Sequence, residues 1–295
     1  MAQPAPRHAV MDRPDNTAQK NAAAYRLAAL DQDFLLGDAM RGVRFLLEYA
    51  KADAVLRAWG IRSTLVVFGS SRVLPGGSGT PASSSATLPP GATPRPGARS
   101  AVWYEEARRF GRIASERGGA LSPMDGIHDN VIATGGGPGI MEAANRGAWE
   151  VGAPSIGFNI TLPREQEPNA YTTPELTFRF HYFAMRKMHF AMRANALVVF
   201  PGGFGTFDEL FEILTLCQTR KAPPTPVVLV DRAYWTRLID FDLLVEEHMI
   251  EPDDLGLFDF AEDAEAAWRI LVERGVKANT DLFPAQNAAD GPHPR

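Results

Sequence analysis

Pro201-Gly202-Gly203-Phe204-Gly205-Thr206-Phe207-Asp208-Glu209 brings together three glycines, a hydroxyl and two carboxylates. It follows the apolar run Ala196–Phe200 and leads into Leu210-Phe211-Glu212-Ile213-Leu214, so it reads as strand, glycine turn, helix. Glycines let a ligand approach the backbone closely. A helix start adds unpaired N–H groups and the positive end of the helix dipole. Together these favour a bound anion, most often a phosphate. Glu209 in the first turn would then act on a phosphorylated substrate. Thr206-x-x-Glu209 also fits a capping box, in which the threonine caps the helix and the glutamate reaches back to its N–H.

A second glycine turn, Gly135-Gly136-Gly137-Pro138-Gly139-Ile140-Met141-Glu142, also lies between an apolar run and a helical segment. The nicotinamide fingerprint needs a third glycine where Glu142 stands, and an acid at the end of the next strand, which reads Phe158-Asn159-Ile160. NAD binding is therefore not expected; the alternatives are a phosphate-binding turn and a tight turn whose glycines serve packing alone. One helix before the first motif lies Met185-Arg186-Lys187, placed to meet an anion or a carboxylate, or else a solvated basic face. The six histidines are scattered and Cys217 is the single cysteine, so neither a metal site nor an intramolecular disulfide is expected.

Strand-length apolar runs at Thr64–Phe68, Val131–Thr134, Ser155–Ile160, Ala196–Phe200 and Pro226–Val230 alternate with helical segments at Val102–Arg117, Ile140–Val151, Phe183–Arg193, Phe207–Thr219 and Tyr234–His248. A last helix is predicted over Ala261–Glu273, and Tyr25–Trp59 is helical, divided near Gly37 and Gly42. Runs apolar throughout imply a parallel sheet covered on both faces, an α/β doubly wound fold with additional N-terminal helices. Ligands bind such sheets beyond the carboxyl ends of the strands. There the turn Phe68-Gly69-Ser70-Ser71-Arg72 should meet the two glycine turns, which makes Ser70 a candidate contact. Residues 1–22 read as a disordered tail, 23–275 as one nucleotide-binding domain and 276–295 as a C-terminal tail. Of the 27 residues Leu74–Ser100, 23 are Pro, Gly, Ser, Thr or Ala, which predicts a mobile inserted loop. Its Pro75-Gly76-Gly77-Ser78-Gly79-Thr80 repeats the letters of the first motif, but Pro81-Ala82-Ser83 follows, with no helix to bind a phosphate.

A net charge of −5 over 295 residues points to neither a nucleic acid nor a membrane surface as partner. No apolar run approaches the ~20 residues of a membrane helix. Met1–Asn16 carries Pro and Asp without an apolar core, unlike a secretory signal, so a cytoplasmic protein is expected.

Gly135–Glu142, Met185-Arg186-Lys187 and Pro201–Glu209, in this order, resemble the Lonely Guy family of cytokinin riboside 5'-monophosphate phosphoribohydrolases, also labelled "lysine decarboxylase-like". The longer bacterial branch fits best, and the likeness covers about residues 41–72 and 101–272. The resemblance implies a Rossmann-like fold, a homodimer or dimer-based higher oligomer, no cofactor, and hydrolysis of the N-glycosidic bond of a purine nucleoside 5'-monophosphate (AMP or cytokinin-type) to free base and ribose 5-phosphate. It maps the catalytic pair to Arg186 and Glu209. Its substrate contacts map to Glu165, Lys187, Thr215 and the turn with Gly202, Gly203, Gly205, Thr206 and Asp208, beside which the glycine-turn residues Gly136, Gly137, Gly139 and Glu142 are candidates. The alternative from another class is a non-catalytic nucleotide- or molybdenum-cofactor-binding carrier, which has no need of the Arg186/Glu209 pair.

Overall fold

The computed structural model describes residues 15–76, 98–162 and 167–277. Backbone contacts divide the chain into two units, Met1–Leu47 and Glu48–Arg295. In the first, α1 (Thr17–Asn21) and α2 (Gln32–Leu36) bury no residue. Asp31 caps α2 by accepting from Phe34 N–H, Gly37 ends it, and Arg44 donates to the carbonyls of Leu35 and Gly37. Gly42 falls inside α3 (Arg41–Ala58) rather than at a break. The tail expected over residues 1–22 lies outside the described residues up to 14; beyond that it contains α1.

The second unit holds a seven-stranded, all-parallel sheet: β1 (Thr64–Phe68), β2 (Val131–Thr134), β3 (Ser155–Ile160), β4 (Thr177–Phe180), β5 (Ala194–Val199), β6 (Val227–Val230) and β7 (Phe258–Ala261), in the order β4-β3-β2-β1-β5-β6-β7. This is the α/β, doubly wound, Rossmann-like arrangement. Every residue of β1, β2, β5 and β6 is buried. That two-sided burial is why these strands are apolar throughout rather than alternating.

β4 and β7 were not expected from the sequence. Both are edge strands, each paired on one side only. Thr-Phe-Arg-Phe alternates between buried phenylalanines and an exposed Arg179, and Phe-Asp-Phe-Ala carries a half-buried Asp259. Half-solvated strands lack the continuous apolar run.

α4 (Ala98–Arg117), α5 (Ile140–Glu150) and α10 (Ala264–Glu273) pack together over one face. Right-handed crossovers put α6 (Phe183–Met192) and α7 (Phe204–Gln218) on the other. The helix expected over Tyr234–His248 is two, α8 (Arg232–Leu238) and α9 (Phe241–Glu246), because Asp240 caps a fresh start by accepting from Leu243 N–H. α10 begins at Ala264, capped by Asp263, since β7 takes the residues before it. Strand order reverses between β1 and β5, and ligands of open α/β sheets bind at such a switch point.

Candidate active site

The turns after β1 and β5 are tied together at that point. Phe200 N–H donates to Phe68 C=O, and Ser70 N–H to Pro201 C=O. The Tyr234 hydroxyl donates to Gly202 C=O at 2.6 Å and holds the second turn from the far side. Above them opens a cleft of about 1290 Å³.

α7 starts three residues earlier than its sequence pattern suggests, with Gly203 at the N-cap and no side chain capping it. Its ladder opens with Phe207 N–H to Gly203 C=O, so the N–H groups of Phe204, Gly205 and Thr206 precede the ladder. The capping-box reading is thereby corrected. Thr206 is the third helical residue, buried against Gly202, where a Cβ would lie 2.0 Å from its Oγ1. Glu209 does not reach back to Thr206; it pairs with Arg186. A Cβ at Gly203 or Gly205 would meet nothing within 4 Å, so no protein atom demands glycine there.

Arg186 on α6 places Nη2 at 2.8 Å from Glu209 Oε1, with the two side chains 13% and 5% exposed. Its guanidinium lies 5.2 Å and 5.7 Å from the Phe183 and Phe190 rings, and its Nε is buried without a hydrogen-bond partner. Burial pushes the Glu209 carboxyl above its ordinary value, and the charges of Arg186 and Lys187 only partly oppose this. The result is a buried carboxylate, held in one orientation and readier than a surface glutamate to take a proton. Lys187 binds Asp208 at 2.7 Å and Glu212 at 3.4 Å. Burial would lower its pKa, but the carboxylates around it raise it overall.

Of the candidates, Ser70, Arg186, Gly202, Gly203, Gly205, Thr206 and Glu209 line the cleft together. Lys187, Asp208 and Thr215 do not: the first two face each other outside it, and Thr215 lies exposed about three turns along α7 from the helix start. Gly136, Gly137, Gly139 and Glu142 also stand outside the lining, because protein groups occupy that turn. Gly136 N–H donates to Thr134 Oγ1, its carbonyl accepts from Asn169 N–H, and Gly137 C=O accepts from Asn169 Nδ2. Gly139, at φ +75°, sits where a Cβ would strike the Ser70 carbonyl, and Ile140 N–H, first in α5, donates to that same carbonyl. Glu142 accepts from the Tyr104 hydroxyl at 2.8 Å. The two glycine turns thus differ: Gly135 and Met141 of one reach the cleft while its other glycines are closed off by protein groups, and the other turn opens on the cleft with all three of its glycines. Glu165 and most of the 75–80 repeat lie outside the described residues.

Among the lining residues that the sequence reading did not name as candidates are Asn159, Tyr234 and Arg72. Asn159 stands next to last in β3, its amide donating to Phe178 C=O. Tyr234 follows β6, and Arg72 stands two residues past Ser70. Only Arg72 had a signal, since it belongs to the turn expected at the ligand edge.

Fold and cleft define a doubly wound α/β protein with an open helix start and a buried Arg–Glu pair at the switch point. Residues 141–271 match the family model described as possible lysine decarboxylase. A probable cytokinin riboside 5'-monophosphate phosphoribohydrolase of Oryza sativa subsp. japonica is 29% identical over 126 residues, 42% of this chain and 50% of that protein. A cytokinin riboside 5'-monophosphate phosphoribohydrolase of Arabidopsis thaliana is 28% identical over 149 residues, 49% of this chain and 66% of that protein. The chain spans about half to two thirds of the length of these relatives. Over those spans the chain is similar to these proteins, which belong to the family its motifs resemble. The solved molybdenum cofactor binding protein of Rippkaea orientalis aligns with 72% of this chain and 96% of its own at 15% identity and a TM-score of 0.43, a likeness too low to bear on function. Among the described residues no helix is long and apolar enough to cross a membrane.

Proposed function

We propose that the protein hydrolyses the N-glycosidic bond of a purine nucleoside 5'-monophosphate, of AMP or cytokinin type, releasing free base and ribose 5-phosphate. One observation carries this reading: the buried, Arg186-paired carboxylate of Glu209 lines the same cleft as the open start of α7. Gly205 and Glu209 are four residues apart, about 6 Å along a helix. A 5'-phosphate and the anomeric carbon of its own ribose are separated by a comparable span. Phosphate on the N–H groups of Phe204–Thr206 brings the sugar beside the carboxylate, and binding at the phosphate positions the reacting bond. Cleavage passes through an oxocarbenium-like state, which a fixed carboxylate stabilises while it orients or deprotonates the attacking water. A guanidinium does not serve as a general acid; Arg186 fixes Glu209 and meets substrate oxygens. The family description invites a pyridoxal-phosphate decarboxylase, which needs a lysine amine in the cleft. Among the described lining residues there is none.

The test incubates the protein with AMP and with isopentenyladenosine monophosphate and follows free base by chromatography. Glu209→Gln keeps an acceptor for Arg186 and removes the charge. A unit charge ~4 Å from a developing cation, at an effective dielectric near 20, is worth about 4 kcal/mol, or about a thousandfold in rate. Base release is expected from the native protein and a loss of that order in the variant, which still folds and binds nucleotide. No release from any purine or pyrimidine monophosphate overturns the reading.

A further inference from the structure

The cleft has a charge balance that the glycine turn and the Arg–Glu pair leave unmet. Of its described lining residues three are charged, Arg72, Arg186 and Glu209. Arg186 is neutralised by Glu209 at 2.8 Å. Lys187 stands outside the lining with two acidic partners of its own. The start of α7 offers partial charges only, about half an elementary charge in sum. A nucleotide phosphate carries nearly two negative charges at neutral pH. The remaining full positive charge is Arg72. It is exposed, lines the cleft, and forms no ion pair among the described residues.

Its placement is specific. Ser70 N–H donates to Pro201 C=O at 3.0 Å, which seats the β1 turn directly against the turn that opens α7. Arg72 N–H donates to Ser70 Oγ at 3.1 Å, so the backbone carrying the guanidinium is folded back onto the same turn. A guanidinium matches two phosphate oxygens with two parallel N–H groups, which an ammonium does not.

We infer that Arg72 is the residue that makes this cleft select a phosphorylated sugar, by pairing with the phosphate held at the start of α7. This rests on the phosphate-binding part of the function proposed above and is independent of whether the glycosidic bond is cleaved. The start of α7 and the guanidinium both meet only the phosphorylated ligand, and of the two only the guanidinium carries a full charge.

Calorimetry with ribose 5-phosphate tests the inference without turnover. The native protein binds it, Arg72→Ala binds at least tenfold more weakly, and Arg72→Lys falls between. Raising the salt weakens the native protein more than Arg72→Ala, because the lost contact is ionic. In hydrolysis assays Arg72→Ala raises KM for the monophosphate more than it lowers kcat. Arg72 is exposed, so the melting temperature checks that the fold is retained. Equal binding by the native protein and Arg72→Ala, or no binding by either, overturns the inference. Binding lost in Arg72→Ala, with no base released by the native protein from any monophosphate, sinks the hydrolase reading and leaves Arg72 in place.

Discussion

Gly205→Ala should stabilise the protein and harm its ligand binding, two effects that rarely travel together. Gly205 is the second residue of α7, and a Cβ built on it meets no atom within 4 Å. Its φ lies outside the left-handed region. The fold therefore has no steric use for glycine there, and glycine in a helix is unfavourable relative to alanine by about 0.5–1 kcal/mol. In a protein of this size that converts to a rise in Tm of about 1–4 °C. Gly205 lines the cleft, so the same methyl group adds bulk beside the proposed phosphate position. Ribose 5-phosphate affinity should fall at least tenfold. A thermal melt and a calorimetric titration of one preparation read both effects. A stabilised variant with native affinity would show that the start of α7 does not hold the phosphate. A destabilised variant would refute the space and backbone argument itself.

Three further outcomes follow from the same geometry. Gly202→Ala should lose about 1–3 kcal/mol by overpacking, since its Cβ would press on the buried Thr206 at 2.0 Å from Oγ1 and 2.6 Å from Cβ; an unchanged melt would refute the contact. Because burial raises the Glu209 carboxyl above its ordinary 4.5, the acid limb of kcat/KM should lie above that pH, activity falling as the carboxylate takes its proton, and a limb at or below it would detach Glu209 from the chemistry. His189 is fully buried beside Tyr49, Phe158 and Phe180, and burial, aided by the charge of Arg193, lowers its pKa from 6.5 to about 4. The unfolded chain then binds the proton first, so stability should fall by about 3 kcal/mol between pH 6.5 and 4, and His189→Phe should remove that part of the slope in denaturant titrations, an unaltered slope refuting the assignment.

The central strands were legible because burial on both faces leaves a continuous apolar signature, as in Leu65-Val66-Val67 or Leu197-Val198-Val199. β4 and β7 were not, because an edge strand solvates one side and reads as four residues of mixed polarity. Arg186 and Glu209 stood out through their motifs, and the structure joins them in one ion pair although 23 residues separate them. The start of α7 was misjudged because Thr206-x-x-Glu209 satisfies a local rule, while Glu209 has a stronger partner across the fold.

The sequence by itself determined the alternation of strand and helix, the glycine turns at strand ends, and an acid one turn inside a helix, since each depends on residues close in the chain. Only the tertiary structure decided which turn stays open. The N–H at the start of α5 is taken by the Ser70 carbonyl, a neighbour 70 residues away in sequence, while those at the start of α7 belong to residues that line the cleft. A backbone group's availability depends on what the rest of the chain brings to it, and that is a property of packing, which no local pattern records.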